Sequence, residues 1–187
     1  MATHQKYSDL DETYFITFTC YEWLNLFEIT KLYSYFEKWF DYLNSKNALL
    51  LSYVIMPNHF HGVIHLNSDC DISLNKLVGN GKRFLAYEIV SRLKKNGNSE
   101  LLNRLCKGVQ TNEKSKNKQH QIFRLSFDAK ACYSLEMMEQ KIDYIHHNPV
   151  AGKWELVNDW TDYPYSSAAY YELGLENKWI TDYRDVF

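Results

Sequence analysis

"ALLLSYVIMPNHFHGVIHL", residues Ala48 to Leu66, reads as two strands joined by the turn Met56-Pro57-Asn58. Ala48–Ile55 is aliphatic and bounded by turn residues, and His59–Leu66 resumes an apolar run directly after the Pro-Asn pair. Side chains alternate along a strand, so His59, His61, Val63 and His65 share one face, and Phe60, Ile64 and Leu66 share the other. His59 and His61 then stand about 7 Å apart along the strand, while His65 lies roughly twice that distance beyond His61. Gly62 leaves room beside the pair for a ligand or another backbone.

The rest of the chain arranges itself around this hairpin. Tyr14–Cys20, "YFITFTC", is a further aromatic and β-branched strand. Leu32, Phe36, Trp39, Phe40 and Leu43 fall at helical spacing, which predicts a helix from about Thr30 to Asn44. Residues Leu74–Asn96 read as a second helix, kinked or delayed by Gly79 and Gly81. Asn103–His120 is polar and lysine-bearing, the pattern of a mobile surface loop. Gln121–Phe127 is the candidate fourth strand. Ser134–His147 is a helix whose cap places Met137 where a capping box carries Glu, and Pro149 is expected to end it.

The resulting order, β-α-β-β-α-β with helical material after it, is the split β-α-β pattern of a ferredoxin-like sheet, an α+β fold. We expect one domain over residues 1–187, with a core at about 14–150 and a C-terminal helical extension at 151–187.

Composition narrows the class. The 187 residues are 45% hydrophobic and 16% aromatic, too apolar for a disordered chain. Cys20, Cys70, Cys106 and Cys132 form no C-x-x-C pair, which disfavours cysteine-held zinc and suits reduced thiols in a cytoplasmic protein. No apolar run is long enough to span a membrane. A formal net charge of −2 gives no global basic field, so any nucleic-acid contact has to be local. Lys82, Arg83, Arg92, Lys94 and Lys95 cluster on one predicted helix, and Lys107, Lys114, Lys116 and Lys118 follow it; solvated faces carry such clusters too.

His59 and His61 can converge on one ion, or they can be packed strand histidines. Two imidazoles leave an ion's shell incomplete. On the last helix, Tyr144 and Asn148 are four residues apart and therefore on one face. An amide oxygen there could complete the shell and a phenol could attack a substrate; equally, Tyr144 could be a packing residue and Asn148 a cap.

"MPNHFHGVI", then "YIHHNPVAGKW", then "YPYSSAAYY" together resemble the single-tyrosine HUH transposases, and most closely their REP-associated tyrosine transposase branch. The resemblance runs from about Tyr14 to Tyr170. It implies His59, His61 and Asn148 as metal ligands, Tyr144 as nucleophile, and Mg or Mn as the ion. It also implies a metal-dependent single-stranded DNA endonuclease and strand transferase that passes through a 5′-phosphotyrosine. The expected partner is single-stranded or hairpin DNA, bound by a monomer or homodimer, with Lys82, Arg83, Lys94 and Lys95 as candidate DNA contacts. Tyrosine titrates near pH 10, so its proton needs an acceptor, for which His146, His147 and Lys141 are candidates. Two other functions fit the same residues: a domesticated nucleic-acid-binding module without turnover, and a metal-dependent phosphodiesterase that uses water.

Overall fold

Strands β1 (Glu12–Thr19), β2 (Ala48–Ile55), β3 (His59–Leu66) and β4 (Asp128–Ala131) form an antiparallel sheet in the order β2-β3-β1-β4. The computed structural model describes residues 10–111 and 118–186. Two helical segments, α1 (Leu26–Ile29) and α2 (Phe36–Asn44), connect β1 to β2. Two more, α3 (Leu74–Lys95) and α4 (Ser99–Lys107), connect β3 to β4. This is the expected ferredoxin-like β-α-β-β-α-β core. The helix α5 (Leu135–His147) follows β4, and α6 (Ala168–Leu173) lies near the C-terminus.

Strand alternation makes the sheet apolar on both faces, and each face acquires its own helical layer. Ile16, Phe18, Phe60 and Ile64 pack with Phe36, Trp39 and Phe40 of α2 and with Leu77, Leu85 and Ile89 of α3. Phe15, Val54 and Val63 point the other way, onto Met138, Ile142 and Ile145 of α5. The histidines of β3 lie on this second face. Burying each large aromatic of the first layer contributes about 2 kcal/mol.

Several local expectations give way to tertiary packing. The helix predicted from Thr30 starts only at Phe36, because Lys31 has a φ of 51° and breaks the run. The carbonyls stranded there are taken by Arg92, whose guanidinium donates to the Thr30 and Lys31 oxygens at 3.0 and 2.6 Å. The same guanidinium pairs with Glu88 at 2.7 Å, so Arg92 is engaged in structure. The second helix runs from Leu74 to Lys95 as one element, with no break at the glycines. Gly81 is there because a Cβ would run into the Trp39 indole, which donates to the Leu77 carbonyl at 3.2 Å. Gly62 likewise makes way for the ring of Phe60, not for a ligand beside the histidines.

The expected loop at Asn103–His120 begins as helix, since α4 extends to Lys107. Asn98 caps α4 by accepting from the Leu101 amide at 3.2 Å, and Leu105 anchors it in the core. Lys114 and Lys116 lie outside the described residues. Gln121–Phe127 makes only a single bridge, Cys20 to Phe123, and the fourth strand is Asp128–Ala131. Pro149 ends α5 as expected, but Asn148 keeps helical angles of −54° and −39°. The chain continues as one 3-10 turn, Asn148–Val150, whose first positions tolerate a proline that has no N–H to give.

Residues after 150 close the open edge of β2. The Ile55 amide donates to the Tyr165 carbonyl at 2.8 Å, and the Ser167 amide to the Tyr53 carbonyl at 2.9 Å. Tyr171 donates its hydroxyl to the Leu51 carbonyl at 2.7 Å. An edge strand with unpaired amides invites foreign pairing, and this segment covers it. Among the described residues, no helix is long and apolar enough to cross a membrane.

Candidate active site between the sheet and α5

β3 and α5 bring four of the sequence-derived residues together. The rings of His59 and His61 are 4.8 Å apart, and the Tyr144 ring stands edge-on to His61 at 5.2 Å. The Asn148 side-chain oxygen lies 3.3 Å from His59 Nε2. His59, His61 and Asn148 are buried, whereas Tyr144 is 50% exposed at the mouth of the site. His65 sits four residue pairs beyond His61 along β3, bonded to Thr13 at 3.0 Å and away from this group.

Neighbouring side chains orient the two imidazoles. Thr17, directly opposite His61 in the β1–β3 register, has its hydroxyl 2.6 Å from His61 Nδ1. Asn58 Oδ1 is 2.8 Å from His59 Nδ1. The Asn58 amide is itself fixed, because its nitrogen donates to the Trp23 carbonyl at 2.9 Å and to Asn25 Oδ1 at 3.0 Å. Its oxygen must therefore face His59, which places the proton on Nδ1 and a lone pair on Nε2.

His59 Nε2 and Asn148 Oδ1 then face each other as two acceptors. A cation between them, or a turned Asn148 amide donating from its nitrogen, resolves that opposition, and 3.3 Å suits two donor atoms sharing one small divalent ion. Among the described residues, no three His, Cys, Asp or Glu side chains gather into a metal-holding group, here or elsewhere. An ion here would rely on an amide oxygen as its third protein ligand.

The electrostatics favour ligation over protonation. Burial pushes His59 down from 6.5 to about 4, against the raising effect of the Asn148 contact and with a lesser lowering effect of Lys153. Burial takes His61 to about 3, with His59 adding to the depression. Both rings are neutral at pH 7, the form that donates a lone pair.

The three candidate proton acceptors separate by position. His146 points into the sheet, where Nε2 meets Ser167 Oγ at 2.8 Å and Ser52 Oγ at 3.3 Å, and its ring stacks on Trp160. His147 turns toward Asp143, with Nδ1 3.1 Å from the carboxylate. Lys141, one turn before Tyr144, holds its amine 5.1 Å from the Phe15 ring, and Phe15 packs edge-on against Tyr144 at 6.0 Å. Lys141 and Tyr144 thus share the Phe15 ring as a neighbour.

Sequence reasoning missed the groups that position the site. Thr17 shows no motif of its own, although it falls opposite His61 once the register is known, and Asn58 was read only as a turn residue. Trp23 and Trp154 were also missed; their rings lie 5.9 and 5.8 Å from that of His59. Lys82, Arg83, Lys94 and Lys95 lie on α3, in the layer across the sheet from the histidines. Lys82 is half-buried and donates to the Arg124 and Ser126 carbonyls at 3.0 and 3.1 Å, and burial lowers its pKa to about 8. Arg83 and Lys94 are exposed along a groove of about 710 Å³ between α3 and residues 118–125. Lys95 is exposed beside them but does not line that groove.

No family model matches this chain, and no curated protein matches it in sequence. Among solved structures, it is similar to a REP-associated tyrosine transposase bound to a REP hairpin. The fold is shared. The superposition has a TM-score of 0.59 at 18% identity and covers 89% of this chain and 82% of the transposase. At that identity the likeness to the REP-associated transposase is one of architecture, and the side chains carry the chemical argument.

Proposed function

We propose that this protein is a metal-dependent endonuclease and strand transferase for single-stranded DNA, with Tyr144 as nucleophile. The observation that carries the reading is the convergence of a half-exposed tyrosine with two buried, neutral imidazoles and one amide oxygen. The similar fold of a transposase holding a DNA hairpin supports single-stranded or hairpin DNA as the substrate.

His59, His61 and Asn148 would hold the ion, with Mn better matched than Mg to two nitrogen donors. When bound, such an ion polarises a phosphodiester and offsets the charge that repels an incoming phenolate. Tyr144 reaches the site from the last turn of α5, and its proton passes to solvent at the open mouth of the site. The Lys141 ammonium, over the Phe15 ring that Tyr144 also contacts, offsets the charge of the phenolate. The phenolate oxygen bonds to phosphorus, the bond from phosphorus to the 3′-oxygen breaks, and the departing oxygen takes up a proton. The products are a 5′-phosphotyrosine and a free 3′-hydroxyl. Attack by another 3′-hydroxyl on that ester restores a phosphodiester and returns the tyrosine, so the outcome is strand transfer.

On this reading Arg83, Lys94 and Lys95 contact DNA phosphates from α3, and Lys82 serves mainly to fix the 124–126 backbone beside them. The test is incubation of the protein with labelled single-stranded oligonucleotides and Mn, followed by denaturing electrophoresis. A covalent protein–DNA product mapping to Tyr144 is expected, and its loss in Tyr144→Phe with DNA binding retained. Cleavage without an adduct would favour a hydrolase that uses water, and binding without cleavage a module that has lost turnover.

A further inference from the structure

Trp23 is 52% exposed, an unusual position for an indole, and it stands 5.9 Å from the ring of His59. Its backbone is also unusual. Glu22 and Trp23 have φ values of 52° and 57°, two consecutive left-handed residues that are not glycine. Such residues persist only where surrounding contacts enforce them. Here the enforcing contact is Asn58, which binds the Trp23 carbonyl with one end of its amide and His59 with the other. Glu22 is paired with Arg104 at 2.7 Å, so the turn presents an indole without an adjacent unpaired carboxylate.

His59 also neighbours Trp154, whose ring is 5.8 Å away and carries the Lys153 amine 5.2 Å above it. His59 thus has two indole neighbours, a partly buried one that carries a cation and an exposed one in a strained turn.

We propose that Trp23 is a stacking platform for a nucleobase beside the phosphate being cut, with Lys153 meeting a neighbouring phosphate. This rests on the reading above that a DNA strand is cleaved next to His59. Aromatic faces accept any base, and a phosphate at the His59–Asn148 group would bring its own or the adjacent base to Trp23. The strain in the turn then has a use: it holds the ring out toward the strand instead of letting it fold into the core.

The test uses Tyr144→Phe protein with magnesium and a set of dT oligonucleotides carrying one 2-aminopurine at each position in turn. Stacking on indole quenches 2-aminopurine, so emission should fall at one or two adjacent positions. Replacing Trp23 with Leu, which keeps apolar bulk without a π face, should remove that quenching and weaken binding between about fivefold and a hundredfold. An abasic residue at the quenched position should weaken the Trp23 protein by a similar factor and leave the Trp23→Leu protein unaffected. A quenching profile unchanged by Trp23→Leu, or an abasic penalty equal with and without Trp23, overturns the proposal. Calorimetry with Mn on Trp23→Leu separates stacking from a merely structural role, because a platform residue leaves ion affinity intact. Failure of wild-type protein to form an adduct, with quenching intact, counts against strand cleavage alone.

Discussion

Asn58 Oδ1 accepts from His59 Nδ1 at 2.8 Å, and through that bond a turn residue decides which nitrogen of His59 faces the site. Removing it leaves the imidazole free to change tautomer and also unties the Trp23 turn. Asn58→Ala should weaken Mn binding by about 10- to 100-fold, as loss of a ligand-orienting partner does. Isothermal titration calorimetry checks this; an unchanged affinity would mean that the hydrogen bond does not orient the ring.

His59→Ala and His61→Ala should each abolish measurable ion binding and adduct formation. His65→Ala, on the same strand face but bonded to Thr13, should leave both in place. The contrast between His61 and His65 is the informative one, since both are buried and both are paired with a threonine of β1.

Stability of the metal-free protein should fall as pH is lowered from about 6.5. Burial holds His59, His61 and His146 near 4, 3 and 4, against an ordinary value of 6.5. Between those limits the unfolded chain binds protons that the folded chain refuses, so acid favours unfolding. The penalty is absent above the ordinary value and complete once pH drops below about 3. Urea melts across this range measure it, and Mn added at pH 7 should raise the midpoint.

Arg83→Ala and Lys94→Ala should each weaken single-stranded DNA binding and reduce the salt slope by about 0.7 for each phosphate no longer neutralised. Lys82→Met should act differently. Its amine serves the Arg124 and Ser126 carbonyls, so the effect should appear mainly as about 1–2 kcal/mol of stability in denaturant melts.

Gly81→Ala should cost about 1–3 kcal/mol in the same melts, because the new methyl meets the Trp39 ring in a packed layer. Gly79→Ala, where a Cβ meets nothing within 4 Å, should be neutral or stabilising.

The hairpin and the grouping of the candidate site residues were legible because alternation and helical spacing survive folding unchanged. Once Ala48–Leu66 is a hairpin, His59 and His61 must share a face. Once Ser134–His147 is a helix, Tyr144 and Asn148 must stand one turn apart. What was not legible depended on partners distant in sequence. The break at Lys31 is sustained by Arg92, the unbroken α3 by Trp39 filling the space at Gly81, and the role of Lys82 by carbonyls more than 40 residues away. The fourth strand was misplaced because Phe123 belongs to the aromatic core, whereas the paired residues Asp128–Ala131 carry no strong strand pattern.

The closure of β2 by residues near 165–171 has a consequence in time. Tyr53 and its partner Ser167 are 114 residues apart, so the ribosome has made β1, β2, β3 and α5 before it makes their cover. At ordinary synthesis rates the nascent chain carries an open sheet edge for roughly ten seconds. Only late in that interval does Tyr144 join the chain, and its helix then still lacks the Ser167 hydroxyl that ties His146 to the sheet. Synthesis order therefore places assembly of the sheet before immobilisation of the helix that presents Tyr144.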